Sequence, residues 1–359
     1  RQALHLFLMI LRTEVVEQAI DGSWRGRFIK DVIMVGRRHP LGMVRKRKVG
    51  QPSKGAILLV HGFGQNRYTW HSTRRSFANY LADAGWDVFN VELRGHGRSR
   101  RFGAPFPRTL DEYIQEDLPV LAKEALKLSG HFGLFLIGHS MGGLISYSAA
   151  GTCLRDVVLG IVTIGSPYRF GEGSALLLFL REASSWLGFT GLFDRNPRLP
   201  IRKVGRFLLK RRFLFDSPFF PLPIRGWRPG TMEGDLLAEY LKRSFEHTTL
   251  AVALDIFKIG RGESWKSLDG KVDYRVAFEL LDRPLLVIAG SQDHLAPPES
   301  VRPAFDASRS THKSYRIFPL GHIDLVLGKE ATTTVWPLIR DWLALHADQE
   351  KALEEGRLP

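Results

Sequence analysis

A serine hydroxyl becomes a nucleophile when a strained turn presents it and a base takes its proton. Gly138-His139-Ser140-Met141-Gly142 has the form such a turn requires. Glycines two positions either side of Ser140 let a strand and a helix approach without a Cβ clash. The pentapeptide lies between an apolar run at 132–137 and a helix of small residues reaching Ala150, the strand-turn-helix setting this chemistry needs. The reaction would be acyl transfer, in which the serine attacks a carbonyl carbon and is itself acylated.

Attack places negative charge on the former carbonyl oxygen, so two preorganised N–H groups should face it. His61-Gly62-Phe63-Gly64 directly follows the apolar run at 56–60, where the second donor belongs. The backbone N–H groups of Phe63 and Met141 are the expected donors. His61, Gly62, Gly64 and His139 are expected to lie against the substrate.

The serine also needs a base, and the base a partner that fixes its tautomer. His322 follows the apolar run at 315–320, and Asp293 stands in Gly290-Ser291-Gln292-Asp293 after the run at 284–288. Both therefore fall at carboxyl ends of strands, where open α/β sheets place their sites. The chain order Ser140, Asp293, His322 fits one catalytic triad. His294 adjoins Asp293 and His312 precedes a strand, so both are poorer bases by position. Asp324 is the rival acid, read here as a support or helix cap for the His322 loop. The segment from Arg94 to Ser99 ends the strand at 87–93 and reads as a structural turn near the pocket.

These residues need a scaffold. From Gly55 onward, short apolar runs alternate with helical patterns, the signature of parallel strands joined by crossover helices. Strands are expected at 56–60, 87–93, 132–137, 157–164, 284–288 and 315–320. Helices are expected through Phe77 and Leu81, from an N-cap at Thr109 to Gly130, after Ser140, and through Val335, Leu338, Trp342 and Leu343. This core occupies 55–167 and 274–347. Residues 168–273 lack the rhythm and are rich in Leu, Phe, Arg and Pro, which predicts an inserted, mainly helical cap. In residues 1–54, Leu4, Leu8, Leu11 and Val15 at helical spacing predict an amphipathic helix ahead of leading strands. The charged tail at 348–359 should fray.

The chain has 359 residues, 44% apolar and 25% charged, which is ordinary globular composition. It contains no run of 18 apolar residues, so no spanning helix is expected. Cys153 is the single cysteine, which excludes an intramolecular disulfide and a thiolate metal cluster; it is read as a small packing residue. A net charge of +14 raises nucleic acid, anionic lipid or an anionic substrate as partners. No helix-turn-helix, zinc-finger or RNP-like pattern accompanies it, so nucleic acid is not expected. A generic basic surface and peripheral contact with an anionic membrane stay open. Within the cap, apolar stretches at 176–180, 186–189, 207–209 and 213–220 stand out, and Lys203, Arg206, Lys210, Arg211 and Arg212 are interleaved with Phe207, Leu208, Leu209 and Phe213. That segment reads either as a lipid-facing lid or as a cap helix with a solvated basic face. A cytoplasmic or membrane-peripheral location is expected. Export is left open, because the chain starts at Arg1 without Met and the patch at 6–11 could be a signal remnant.

Taken in order, 61–64, 93–99, 138–143, 290–293 and 321–322 resemble the α/β-hydrolase superfamily in its esterase and lipase branch, over about 55–167 and 284–347. Gly321-His322-Ile323-Asp324, with Gly328 and Val335-Trp336-Pro337, also resembles acid lipases and polyester-synthase-like hydrolases. Such synthases use cysteine where this chain has Ser140, which argues for hydrolysis. The resemblance implies an α/β-hydrolase fold, with a mostly parallel central sheet flanked by helices and an inserted cap. It also implies an acyl-enzyme mechanism with no cofactor and no metal, acting on a small-molecule or lipid-like ester. Thioesterase, lactonase, amidase, perhydrolase and acyltransferase chemistry remain alternatives on the same triad. A non-catalytic binding protein of the same fold is the alternative from another class.

Overall fold

A computed structural model of the chain describes residues 8–36, 38–170, 196–220, 225–262 and 265–348. Its strands are β1 (Leu8–Asp21), β2 (Trp24–Val35), β3 (Leu41–Lys48), β4 (Ala56–Val60), β5 (Asp87–Glu92), β6 (Leu134–His139), β7 (Val158–Ile164), β8 (Arg198–Leu199), β9 (Thr248–Thr249), β10 (Leu285–Gly290) and β11 (Lys313–Phe318). One sheet takes the order β1-β2-β3-β5-β4-β6-β7-β10-β11. From β5 to β11 every neighbouring pair in that order is parallel, while β1, β2 and β3 form an antiparallel wing on β5.

The apolar runs are continuous because both faces of the central strands are covered. Side chains alternate along a strand, so Ala56, Leu58 and Val60 of β4 enter one core while Ile57 and Leu59 enter the other. β10 divides the same way, with Leu285, Val287 and Ala289 opposite Leu286 and Ile288. Helices Leu118–Ser129 and Met141–Gly151 cover the first face, and Phe77–Asp83 and Val335–Leu345 the second. The α/β-hydrolase architecture expected from the sequence is the one observed.

Three local expectations are corrected. Leu8, Leu11 and Val15 lie in strand β1, not on an amphipathic helix, and Leu4 is outside the described residues. β1 pairs with β2 along most of its length, and Leu11 and Val15 stay exposed, so no apolar helical face is buried there. Gly22-Ser23 between the two strands, with Gly22 at φ 58°, is a two-residue hairpin loop and outweighs the spacing of the leucines. Thr109 does not cap the next helix: its hydroxyl has no partner, and the Leu110 N–H instead donates to the Asp255 carboxylate at 2.9 Å. Cys153 is exposed rather than packed, its thiol donating to the Ile114 carbonyl at 3.2 Å.

Between β7 and β10 the chain leaves the sheet. The described part of this insert carries helices Ile201–Lys210, Arg212–Phe215, Gly234–Arg243 and Leu250–Gly260, with β8 and β9 forming a two-residue ladder. It is tied to the loop after β4 by Gln65, whose amide donates to the Tyr240 hydroxyl at 2.6 Å, and by Glu246, whose N–H donates to the Gly64 carbonyl at 2.7 Å. The apolar stretches at 176–180 and 186–189 lie outside the described residues, as does the tail beyond Asp348. No described helix is long and apolar enough to cross a membrane.

Candidate active site

Residues following β4, β6, β7, β10 and β11 meet around one cavity of about 400 Å³, contributing Phe63, Ser140, Pro167, Leu295 and His322 to its lining. All five are at carboxyl ends of parallel strands, and the insert closes the other side with Ile201, Val204, Leu208 and Trp227. Gln65, Ser140 and His322 supply the polar side chains among the described lining residues. Among the described lining residues there is no Asp, Glu, Lys or Arg.

Ser140 joins β6 to helix Met141–Gly151 with φ 56° and ψ −124°. Among described non-glycine residues only Ser140 and Asn196 have positive φ. Steric clash disfavours that region for a residue with a Cβ, and surrounding structure must hold it there. The Ser140 N–H does so by donating to the Ile164 carbonyl of β7 at 3.0 Å. Met141 begins the helix, so its N–H lies ahead of the intrahelical ladder and is available to a ligand.

His322 Nδ1 donates to Asp293 Oδ2 at 2.7 Å, and both side chains are buried. The other carboxylate oxygen, Oδ1, accepts the N–H groups of Leu295 at 2.9 Å and Ala296 at 2.8 Å, which fixes the carboxylate plane. With Nδ1 donating, Nε2 is the acceptor nitrogen of the ring. Among the described residues no hydrogen bond joins it to Ser140; nucleophile–base contacts commonly tighten only when substrate binds.

The four expected substrate contacts stand behind the cavity wall rather than on it. His61 is fully buried, its Nε2 accepting the Leu93 N–H at 3.1 Å and its Nδ1 donating to the Gly62 carbonyl at 3.0 Å. His139 donates from Nε2 to the His322 carbonyl at 3.0 Å, with the two rings 4.6 Å apart, so it braces His322 from below. Gly62 donates its N–H to Gln65 Oε1 at 3.2 Å, and Gly64 packs under Ile201. Of the competitors, His294 and His312 are exposed. Asp324 Oδ2 accepts the N–H groups of Gly321 at 2.9 Å and Arg228 at 2.7 Å, which pins the His322 loop to the insert.

Two contributors escape the sequence reading. Gln65 spans the loop after β4, accepting from Gly62 N–H and from the Thr69 hydroxyl while reaching Tyr240, so it sets the orientation of Phe63. Gly165, at φ +54°, brings backbone against the hydrogen-bonded Asp293–His322 pair: a Cβ there would lie 3.1 Å from Asp293 Oδ2 and 3.2 Å from His322 Nδ1. Gly165 follows β7 directly, so the rule that located Asp293 and His322 could have found it. Gln65 carries no such signal beyond its place one residue past Gly64.

A family model described as the alpha/beta hydrolase fold matches residues 55–329. The chain belongs to this family. Lipase member M of Homo sapiens is 30% identical over 367 residues, covering 90% of this chain and 82% of that protein. The poly(3-hydroxyalkanoate) polymerase subunit PhaC of Haloferax mediterranei is 24% identical over 305 residues, covering 80% of this chain. Among solved structures, the monoacylglycerol lipase of Paleococcus ferrophilus aligns with a TM-score of 0.58 at 19% identity, covering 85% of this chain and 99% of that one. At that identity the likeness shows the fold alone. The chain spans 58% of the Haloferax subunit and 29% of epoxide hydrolase 3 of Xenopus tropicalis, which it matches at 28% identity over 119 residues.

This alpha/beta hydrolase buries several titratable groups around the site, with a consequence for stability. Burial pushes the His61 imidazole down to about 3 and His96 down to about 4, with the His96 ring adding to the effect on His61. Burial also holds His71 and His139 well below the usual histidine range, helped by Lys46 at the first and His322 at the second. Burial acts oppositely on carboxyls, raising Asp117 and Asp324 each to about 6. Below the ordinary histidine range the unfolded chain therefore binds protons on His61, His71, His96 and His139 that the native state resists. The native state keeps two carboxyl protons that the unfolded chain releases. The depressed imidazoles outnumber the two raised carboxyls, so stability should fall as the pH drops through the range in which unfolded histidines take up protons. Urea midpoints measured from pH 6.5 to 4.5 should fall steeply; a flat profile would contradict these buried neutral imidazoles.

Proposed function

We propose that the protein is a carboxylic ester hydrolase working through Ser140, His322 and Asp293. The observation that carries this reading is the 2.7 Å Asp293–His322 hydrogen bond behind a cavity that the strained Ser140 shares. The similarity to Lipase member M along most of both chains supports it.

In this reading Ser140 Oγ attacks the ester carbonyl carbon as its proton passes to His322 Nε2. The oxyanion accepts hydrogen bonds from the N–H groups of Phe63 and Met141, and buried Asp293 stabilises the imidazolium. The C–O bond then breaks, His322 protonates the departing alcohol, and an acyl-enzyme remains on Ser140. Water repeats the sequence, giving a free acid and regenerating the hydroxyl.

The cavity's lining also supports a preference among ester substrates. Its lining is dominated by apolar side chains such as Phe63, Trp227, Ile256 and Ile323, and its described lining residues include no Asp, Glu, Lys or Arg. A carboxylate or phosphate inside it would be desolvated without compensation. The insert is read as a cap over a neutral, apolar acyl chain of medium to long length. A p-nitrophenyl ester series should show kcat/KM rising with acyl length from acetate toward octanoate, each added buried methylene contributing about 0.8 kcal/mol or some fourfold. An acetate preference, or no turnover at any length, would count against the reading. Acyl transfer to an alcohol is the second reading, favoured by the similarity to the Haloferax polymerase subunit. Ester products formed when alcohols are added would reveal it.

A further inference from the structure

We propose that helices Ile201–Lys210 and Arg212–Phe215 dock the protein on an anionic lipid surface with the cavity mouth toward the bilayer. Residues 201–215 contain Arg202, Lys203, Arg206, Lys210, Arg211 and Arg212 and no carboxylate. Among the described residues none of these six cations is in an ion pair, although cations elsewhere on the protein, such as Arg45, Arg75 and Arg94, are held by carboxylates. The apolar residues between them are turned outward: Phe207 is 51% exposed, Phe213 77% and Leu214 47%. Phe219, just beyond, is 93% exposed. Guanidinium and ring are adjacent here, with Arg211 5.5 Å from the centre of the Phe207 ring and Arg212 4.4 Å from that of Phe213.

The element is firmly seated, so this exposure is not loose packing. Gly205 is buried, and a Cβ on it would lie 2.8 Å from both the Leu241 carbonyl oxygen and the Phe245 ring. The helix thus lies backbone-close on Gly234–Arg243 through that face, and Phe215 is buried in the core with Leu208 and Leu209 packed beside it. Ile201, Val204 and Leu208 meanwhile line the cavity that holds Ser140. One side of the same short element walls the cavity and another presents aromatic rings ringed by unpaired cations. A row of cations alone would suit any polyanion. Exposed phenylalanines among them suit an interface in which rings enter the acyl boundary and cations meet lipid phosphates. A net charge of +14 adds long-range attraction to the same surface.

Binding is measured without turnover, so this inference stands or falls apart from the ester reading. The full chain is co-sedimented with vesicles of equimolar phosphatidylcholine and phosphatidylglycerol, and with phosphatidylcholine alone, at low and high salt. The wild type should bind the anionic vesicles, and salt should weaken the binding. Arg206→Gln/Lys210→Gln/Arg211→Gln should bind about a hundredfold more weakly. Phe207→Ser/Phe213→Ser should lose affinity at low salt with every cation in place. Far-ultraviolet circular dichroism checks that the variants are folded, and single substitutions Lys210→Gln and Phe213→Ser give smaller shifts in the same directions. Equal binding to neutral vesicles, unchanged binding of the triple variant, or a phenylalanine variant that binds like wild type would each overturn the proposal. The last result would mark a purely ionic surface for another polyanion.

Discussion

Replacing Ser140 by alanine should lower kcat for ester hydrolysis by about 10⁶-fold and leave the fold intact. The residue's positive φ belongs to the turn, and alanine keeps the same Cβ in the same place. Stability should therefore change by less than about 1 kcal/mol, as for a substitution that removes neither packing nor a backbone bond. What survives would be the contribution of the oxyanion donors and of binding, which outlast loss of the nucleophile in such sites. Steady-state kinetics with a p-nitrophenyl ester checks the first expectation and a urea titration the second. Retention of more than a few per cent of activity would remove Ser140 from the nucleophile's role.

The second large effect is expected at Asp293→Asn, about 10⁴-fold in kcat, for a reason the hydrogen bonds make specific. Two backbone N–H groups, from Leu295 and Ala296, point at Oδ1 and require an acceptor there. The asparagine carbonyl must take that place, which turns the NH₂ group toward His322 Nδ1. A donor facing Nδ1 forces the ring into the tautomer with its proton on Nε2, where it can no longer take the proton of Ser140. Asp324→Asn should cost much less, since that carboxyl accepts from Gly321 and Arg228 and does not touch the ring nitrogens. If the two variants lost activity equally, the assignment of Asp293 as the orienting acid would fail.

Much of this site is legible in the sequence because buried parallel strands announce themselves as short unbroken apolar runs. The residue just past such a run falls at the sheet's carboxyl edge. Ser140, Asp293 and His322 all stand just past such runs. Side-chain direction is less legible than strand position. His139 ends β6 next to Ser140, and neighbouring residues at a strand end face opposite ways, so the serine reaches the cavity while the imidazole turns down against Trp70 and His322. His61 is turned inward by its bonds to Leu93 and Gly62 for the same kind of reason. At the chain's start, the half of β1 that holds Met9, Ile10, Leu11 and Val15 leaves them exposed and carries no period-2 signal strong enough to displace leucines at helical spacing; the Gly22-Ser23 turn betrays the strand. Gln65 is invisible because its partners, the Gly62 N–H and the Thr69 and Tyr240 hydroxyls, form no sequence pattern and only the folded loop brings them together.

The insert shows how one element can serve two surfaces. Ile201, Val204 and Leu208 complete the apolar cavity from above, and the exposed rings and cations of the same segment face outward. If the protein works at a lipid surface, an apolar ester would pass from bilayer to cavity across this short helix. Substitutions at Phe213 and Val204 would then separate docking from substrate fit, because only Val204 touches the cavity.

The most direct test of the central claim is to react the wild-type protein with a fluorophosphonate and locate the adduct by peptide mass spectrometry. A serine activated by His322 in an apolar cavity should be phosphonylated once, at Ser140, and His322→Ala should abolish the labelling. No adduct on the folded wild type, or an adduct on another serine with ester hydrolysis intact, would contradict the account.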